Sequence, residues 1–316
     1  MQPILALDGV SKSFAGVHAL KNVSFDVRPG EVHALMGENG AGKSTLIKVM
    51  AGVHAPDSGD IRVNGEKVRF ASPREARAAG IATVYQELLL FPELSVAENI
   101  FLGHAPRTTM NALDWTKMRN EARRLLDDLD SHDLDVDARV GSLSVANRQR
   151  VEIAQALSQD ARVLIMDEPT AALADADARR LMDVVRRLRD RGVAIVYVSH
   201  RMPEIFALAT RVTVLRDGAY VGTHDIGDIT EAELVSMMAI ATRSRTPRSP
   251  CAPARSSASP VWSARVGASW RSPSSASRRP PPARSCSTAS PSPSPARNRP
   301  ATAASPMCRK TAACRA

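Results

Sequence analysis

The sequence predicts an α/β fold in which a largely parallel sheet is covered by helices on both faces. Short apolar segments alternate with longer amphipathic segments, as in parallel strands joined by crossover helices. Several apolar segments end in glycine-rich or acidic residues, and ligands bind at such strand ends in open α/β sheets. A long stretch of helical periodicity further predicts an all-helical subdomain over about residues 90–160.

Apolar periodicity places the individual elements of the first half. Strands are predicted at residues 4–10, 23–27, 31–36, 60–63 and 81–85, and a helix at residues 43–50. Helical spacing begins near residue 96 and continues to residue 129. Its apolar face comprises Met118, Ala122, Leu125 and Leu126.

The second half repeats the alternation of strand and helix. Strands are predicted at residues 163–169, 193–199 and 211–216, with a helix at residues 177–191 and a short helix after His200. The pair Asp217-Gly218 predicts a tight turn after the last of these strands. We find no internal repeat in residues 1–242.

The composition changes abruptly near residue 242. Residues 1–242 carry 28 Lys and Arg against 33 Asp and Glu, about −5, although the whole chain is at +9. A net negative domain argues against nucleic acid as a partner. Residues 243–316 hold 14 basic residues, no acidic residue, no Leu, Ile or Phe, and all four cysteines.

The Arg/Ser/Pro/Ala-rich segment 243–316 is predicted to be disordered, because it lacks the large aliphatic residues that form a core. One interpretation is a basic tail that contacts anionic lipid or RNA. The other, which we favour, is an out-of-frame product, because GC-rich codons read in the wrong frame give this composition. Its cysteines match no metal-ligand spacing.

The N-terminal segment lacks a basic region followed by a long apolar stretch. No run of about 18 apolar residues occurs anywhere in the chain. We therefore expect a soluble protein, or one held at a membrane only by its partners. The lack of cysteine in residues 1–242 suits a reducing compartment.

The strongest functional signal is a nine-residue glycine-rich loop between a predicted buried strand and a predicted helix. Its residues are Gly37, Glu38, Asn39, Gly40, Ala41, Gly42, Lys43, Ser44 and Thr45, which fit G-x-x-x-x-G-K-[ST]. Glycines let backbone N–H groups surround phosphates, and the helix N-terminus adds a positive dipole end. Lys43 is expected to reach the β- and γ-phosphates and Ser44 to ligate Mg²⁺.

Three further strand ends carry polar side chains suited to phosphate chemistry. Asp167 is expected in the Mg²⁺ shell, and Glu168 is expected to polarise the attacking water. His200 follows another strand and could reach the γ-phosphate or the water. Gln86 could contact Mg²⁺ or water and opens an apolar loop that is a candidate docking surface. Structural roles, as turn, core or loop residues, remain open for all four.

Two further segments are candidates for nucleotide contact. Phe14 offers an aromatic face that could stack on adenine, although a core role is the alternative. The stretch LSVANRQRVEIAQALS (143–158) begins with Ser144, a good helix N-cap, before apolar residues at helical spacing. Taken alone, helix capping by Ser144 is one explanation of this polar start, and contact with a nucleotide is the other.

The order of the motifs along the chain resembles that of the ATP-binding cassette of ABC transporters. These motifs are the glycine-rich loop, the glutamine loop, the serine-led helix, the Asp-Glu strand end and the histidine. The resemblance covers about residues 3–240. It implies a P-loop NTPase (RecA-like) core with an antiparallel β part at the N-terminus and an inserted helical subdomain. It also implies that Ser144 and the backbone around Asn147 contact ATP held by a second cassette.

Three stretches are similar to the ATPases of monosaccharide importers. They are LSVANRQ, YQELLLFPELSVAENIFLG (85–103) and VSHRMPEIFALATRVTVLRDGAYVGT (198–223). The start of the serine-led helix, LSVAN, departs from LSGGQ, the general form of this motif in the family. Val145 and Ala146 replace its glycines, and Asn147 stands where glutamine is usual. The resemblance implies ATP and Mg²⁺ as cofactors and an ATPase that powers monosaccharide uptake. It further implies a peripheral position at the cytoplasmic face of the inner membrane.

The expected partners are membrane permease subunits and, indirectly, a periplasmic sugar-binding protein. A second cassette is also expected, either another copy of this chain or a missing second half, because such importer ATPases usually carry two cassettes. Two other functions remain open. One is a truncated or frameshifted remnant that binds ATP without driving transport. The other is a soluble non-transport ABC ATPase.

Overall fold

The protein is described from a computed structural model that covers residues 2–86 and 89–239. The segment predicted to be disordered, residues 243–316, lies outside the described residues. The strands are β1 (Leu5–Phe14), β2 (Val17–Val27), β3 (Val32–Met36), β4 (Ser58–Val63), β5 (Glu66–Val68), β6 (Ile81–Val84), β7 (Val163–Asp167), β8 (Ala194–Val198), β9 (Arg211–Arg216) and β10 (Ala219–Asp225). The helices are α1 (Lys43–Met50), α2 (Pro73–Ala78), α3 (Val96–Ile100), α4 (Trp115–Asp128), α5 (Val145–Leu157), α6 (Asp175–Asp190), α7 (Met202–Leu208) and α8 (Glu231–Met238).

All strands of the described residues form one mixed sheet in the order β5-β4-β1-β2-β10-β9-β3-β8-β7-β6. The five strands from β9 to β6 in this order are parallel, and β1, β2, β4 and β5 pair antiparallel. The predicted α/β core with an N-terminal antiparallel part is therefore confirmed. Because β3, β8 and β7 are neighbours, their carboxyl ends meet at one edge of the sheet.

Helices cover the parallel strands on both faces, so these strands are buried on both sides. Val32 and Met36 of β3 belong to the hydrophobic core that α3 to α8 cover. Leu35 of the same strand packs into a second core with α1 and the antiparallel strands. The strand end that carries the glycine-rich loop is thus held from both faces.

Three α-helices, α3, α4 and α5, lie between β6 and β7 and contact one another. The predicted continuous helical stretch over residues 96–129 is wrong, because the chain leaves the helix after Ile100 and resumes at Trp115. Gly103 has a left-handed backbone (φ 82°), and the Asp114 carboxylate caps the new helix by accepting from the Lys117 amide at 2.9 Å. A glycine turn therefore follows the end of α3, and a capped N-terminus begins α4.

The N-terminal hairpin is longer than the predicted strands at 4–10 and 23–27. Ala15 and Gly16 both have positive φ, and Phe14 pairs with Val17, so a two-residue turn joins β1 directly to β2. The predicted turn at Asp217-Gly218 is confirmed, and the unpredicted strand β10 follows it. No helix within the described residues has the length and apolar character needed to cross a bilayer.

Candidate functional site

The glycine-rich loop between β3 and α1 is shaped for close backbone approach. Gly42 has a left-handed backbone (φ 101°), and a Cβ there would lie 2.8 Å from the Ala19 carbonyl oxygen. Helix α1 begins at Lys43, and its N-cap, Gly42, offers no side chain to satisfy the amides of the first turn. A helix start of this kind leaves N–H groups and the positive dipole end to an anion.

The Lys43 side chain folds back over its own loop. Its Nζ donates to the carbonyl oxygens of Gly37 at 2.7 Å and Glu38 at 3.2 Å. Burial lowers the pKa of Lys43, and the carboxylates of Glu168 and Asp167 oppose that shift. The amine therefore lies between the loop carbonyls and two acidic side chains, where it can bind a phosphate oxygen.

The carboxyl end of β7 carries Asp167 and Glu168. Glu168 has a left-handed backbone (φ 48°), and its amide donates to the Val198 carbonyl of β8 at 2.9 Å. The Glu168 Oε1 lies 3.3 Å from Nδ1 of His200, whose side chain is 69% exposed. The ends of β7 and β8 thus bring a half-buried acid and an exposed histidine into contact.

A cleft of about 280 Å³ joins these elements. It is lined by Ala19, Asn39, Gly40, Ala41, Gly42, Lys43, Ser44, Thr45, Gln86, Asp167 and Glu168. The sequence had singled out every one of these residues except Ala19. Gly37 and Glu38 form the start of the loop and do not line the cleft. His200 does not line it either, but it contacts Glu168, which does. Glu87 and Leu88, which follow Gln86, lie outside the described residues.

The residues of the cleft fit a magnesium nucleotide. Burial raises the pKa of Asp167, and the neighbouring Glu168 carboxylate adds to that rise, so a divalent cation here would stabilise both charges. No cluster of three or more His, Cys, Asp or Glu able to hold a metal occurs in the described part of the chain. Mg²⁺ bound with a nucleotide needs only one or two protein oxygens, the rest being phosphates and water.

Three predicted nucleotide contacts lie outside this cleft. Phe14 stands at the tip of the β1–β2 hairpin, 41% exposed, with its ring edge-on to His54 at 5.1 Å. Ser144 is exposed and caps α5, its Oγ accepting from the Asn147 amide at 3.3 Å. The Asn147 side chain contacts Arg150 within α5. The polar start of α5 therefore has no partner in the cleft of the same chain.

Sequence reasoning missed a buried carboxylate beside the cleft, Glu204 of α7, which is 5% exposed. Hydroxyl groups of Thr170, Tyr197 and Ser199 all donate to its Oε2. One signal was available in the sequence. Glu204 lies between apolar residues of a short helix whose Ile205 and Leu208 are buried, where a carboxylate requires partners.

The fold, and the order in which the functional strand ends follow one another along the chain, are those of a nucleotide-binding cassette. The sequence model of the ABC transporter family matches residues 20–171. An ADP-bound ATP-binding cassette of an ABC transporter superposes with TM-score 0.67 and 25% identity, over 75% of this chain and 98% of that chain. The matched region, residues 20–171, therefore belongs to the ABC transporter family, and the described chain has the fold of an ATP-binding cassette.

Within that family the chain is similar to sugar-import proteins. It is 53% identical over 236 residues to the ribose import ATP-binding protein RbsA 1 of Streptomyces coelicolor, an alignment that covers 75% of this chain and 46% of that protein. The chain thus spans about half the length of the curated relatives it matches. A solved dimer of a cassette bound to ADP and phosphate is also similar, with TM-score 0.61 and 25% identity over 70% of this chain and 98% of that chain.

Proposed function

We propose that this chain binds and hydrolyses Mg²⁺-ATP to power monosaccharide import through a membrane permease. One observation carries the proposal. The cleft places the Lys43 amine, the Gln86 amide and the carboxylates of Asp167 and Glu168 around one space at the N-terminus of α1. Phosphoryl transfer needs little more than this positioning and charge stabilisation.

Each side chain has a distinct role in the proposed reaction. Lys43 and the loop amides bind the phosphates, while Ser44, Asp167 and Gln86 hold Mg²⁺, which supplies charge neutralisation at the phosphates. Glu168 accepts the proton of the attacking water. His200, in contact with Glu168, completes the polar wall beside the γ-phosphate.

The second half of the site comes from another cassette. Ser144 and Val145 at the start of α5 are exposed, and neither lines the cleft. We propose that this helix start binds the ATP of a second cassette, either another copy or a further part of a longer protein. The similar dimeric cassette bound to ADP and phosphate supports this arrangement.

The transport partner is proposed to be a permease at the cytoplasmic face of the inner membrane, which a periplasmic binding protein supplies with sugar. The loop after Gln86 presents Leu89 at 61% and Phe91 at 54% exposure, an apolar surface suited to a permease helix. The similarity to a ribose import ATP-binding protein supports a monosaccharide as the cargo.

The transport role is tested by uptake of labelled ribose and other monosaccharides in cells whose only copy of the gene is altered. We expect Glu168→Gln to abolish uptake of the transported sugar, because closure without hydrolysis cannot reset the permease. Glu66→Gln removes an exposed acid of the edge strand β5 that does not line the cleft, and it should leave uptake unchanged. Uptake of every sugar unaffected by Glu168→Gln would refute the transport role.

A further inference from the structure

One buried carboxylate oxygen accepts hydrogen bonds from three hydroxyl groups. Glu204 Oε2 accepts from Thr170 at 2.8 Å, Tyr197 at 2.9 Å and Ser199 at 3.1 Å. All four side chains are buried, with 5% exposure or less. Burial raises the pKa of Tyr197, and the Glu204 charge adds to that rise, so the phenol stays protonated as a donor.

The three donors come from two segments of the chain. Thr170 lies two residues after Glu168, while Tyr197 of β8 and Ser199 immediately precede His200. The two segments that follow β7 and β8 therefore meet at one atom of α7. Charge-assisted bonds to a buried carboxylate are stronger than neutral ones.

Two further contacts hold this carboxylate in place. Arg201 Nη1 lies 3.1 Å from Glu204 Oε1 without the alignment of a hydrogen bond, and Arg201 Nη2 donates to Asp175 at the start of α6. The Arg201 amide donates to the Ser199 hydroxyl at 3.0 Å. Arg201 and Ser199 are thus each fixed by a second partner, which limits the movement of the loop after β8.

We propose that Glu204 is a positioning residue that sets the distance between Glu168 and His200 by fixing both of their loops to α7. The inference rests on the proposed ATPase function, because its catalytic consequence requires the roles given to those two side chains. It does not require either of them to touch Glu204. Losing one tie lets the Glu168 or the His200 loop shift, and small displacements of a reacting group are costly in rate.

The test removes one tie at a time from the full chain. The variants are Glu204→Gln, Thr170→Val and Ser199→Ala, with Thr170→Ser to restore the hydroxyl. Thr213→Val is the matched control, because Thr213 is equally buried and its hydroxyl bonds His33 away from these loops. Hydrogen exchange is measured on peptides covering residues 168–173 and 199–202, and phosphate release gives kcat and KM for ATP.

We expect Thr170→Val to speed exchange in residues 168–173 and Ser199→Ala to speed it in residues 199–202, and each to lower kcat roughly tenfold or more. KM should change by less than about threefold, because the phosphate loop is intact. Thr170→Ser should restore kcat, and Thr213→Val should keep wild-type exchange in both loops and wild-type kcat. If wild-type protein releases no phosphate, the proposed ATPase fails while exchange still decides the positioning role. Wild-type exchange in both loops of the folded variants would overturn the inference.

Discussion

At the residue scale, Glu168 combines its proposed chemical role with an unfavourable backbone conformation. Its φ of 48° lies in the left-handed region, which costs a residue with a Cβ about 1–3 kcal/mol. The bend turns the carboxylate from the end of β7 toward His200 instead of continuing the strand direction. The conformation is sustained by the Glu168 amide, which donates to Val198, and by Ala171, whose amide donates to the Glu168 carbonyl.

This strain predicts an order of stability among variants at one position. The free energy of unfolding of Glu168→Gly should be about 1 kcal/mol higher than that of Glu168→Ala, because glycine adopts positive φ without a Cβ clash. Both variants lose the same carboxylate, so the comparison isolates the backbone. Urea unfolding followed by circular dichroism measures the difference, and an alanine variant as stable as the glycine variant would show that the bend is unstrained.

Glu152 of α5 is a second residue whose environment makes a measurable claim. It is 4% exposed, its Oε2 has no hydrogen-bond partner among the described residues, and burial raises its pKa to about 7. It lines a cavity of about 250 Å³ together with the titratable side chains of Arg77 and Tyr85. The Leu89 amide, which donates to this carboxylate, opposes the shift.

The raised pKa predicts a pH-dependent loss of stability. The folded state holds the Glu152 proton more tightly than the unfolded state, so stability falls as pH rises from about 4.5 to about 7. Glu152→Gln, whose amide oxygen can still accept from Leu89, should lack this loss. The free energy of unfolding of the variant relative to wild type should therefore be larger at pH 8 than at pH 4.5, by up to about 3 kcal/mol. Parallel stability curves for the two proteins would contradict a raised pKa.

At the element scale, Arg211 joins the antiparallel and parallel parts of the sheet. From β9 it donates to both Asp26 oxygens of β2, at 2.9 and 2.8 Å, and to Glu31 at 3.2 Å. β2 and β10 are paired at a single position, Ala219 with Lys21, so few backbone bonds join the two parts there. The side-chain network reinforces a weak boundary in the sheet.

Breaking this network should destabilise the fold. Arg211→Met leaves Asp26 partly buried and Glu31 buried without their cation, which should cost about 2–4 kcal/mol after allowance for the exposure of Asp26. Arg28→Met is the matched control, because Arg28 is 45% exposed and lies 3.7 Å from the same Asp26. Equal urea midpoints for the two variants would contradict the role of Arg211.

The elements that the sequence predicted are those with a local cause. The bounds predicted for α1 are correct, because a glycine-rich turn precedes its apolar face and Gly52 follows its end. β10 and α8 escaped prediction, since β10 is only partly buried and α8 buries little beyond Leu234. The Glu204 contacts could not be derived from sequence, because Thr170, Tyr197 and Ser199 meet it only once β7, β8 and α7 are packed together.

At the scale of the whole molecule, the two features proposed to bind nucleotide are separate, because Ser144 does not line the cleft. The cleft at α1 is one, and the exposed start of α5 at Ser144 is the other. The proposed closure by a second cassette would bring a helix start of this kind to each cleft, and it is the movement that the proposed permease would use.

This arrangement predicts an ATP-dependent dimer when hydrolysis is blocked. Glu168→Gln should dimerise in Mg²⁺-ATP, and adding Ser144→Ala should weaken that dimer at least tenfold, because a ligand of the partner's ATP is lost. Ser142→Ala is the control, since Ser142 is equally exposed and its hydroxyl donates to the Arg139 carbonyl. Light scattering measures the mass, and a Glu168→Gln protein that binds ATP as a monomer would count against self-association.

The claim that this cleft hydrolyses ATP is tested most directly by phosphate release from purified protein in Mg²⁺-ATP. We expect steady release by wild type and by Glu66→Gln, and a fall in kcat of about 10²–10⁴-fold in Glu168→Gln with ATP affinity retained. That result would assign the chemistry to the carboxylate at the end of β7. Release by Glu168→Gln at the wild-type rate, or no release by wild type with ATP bound, would contradict the account.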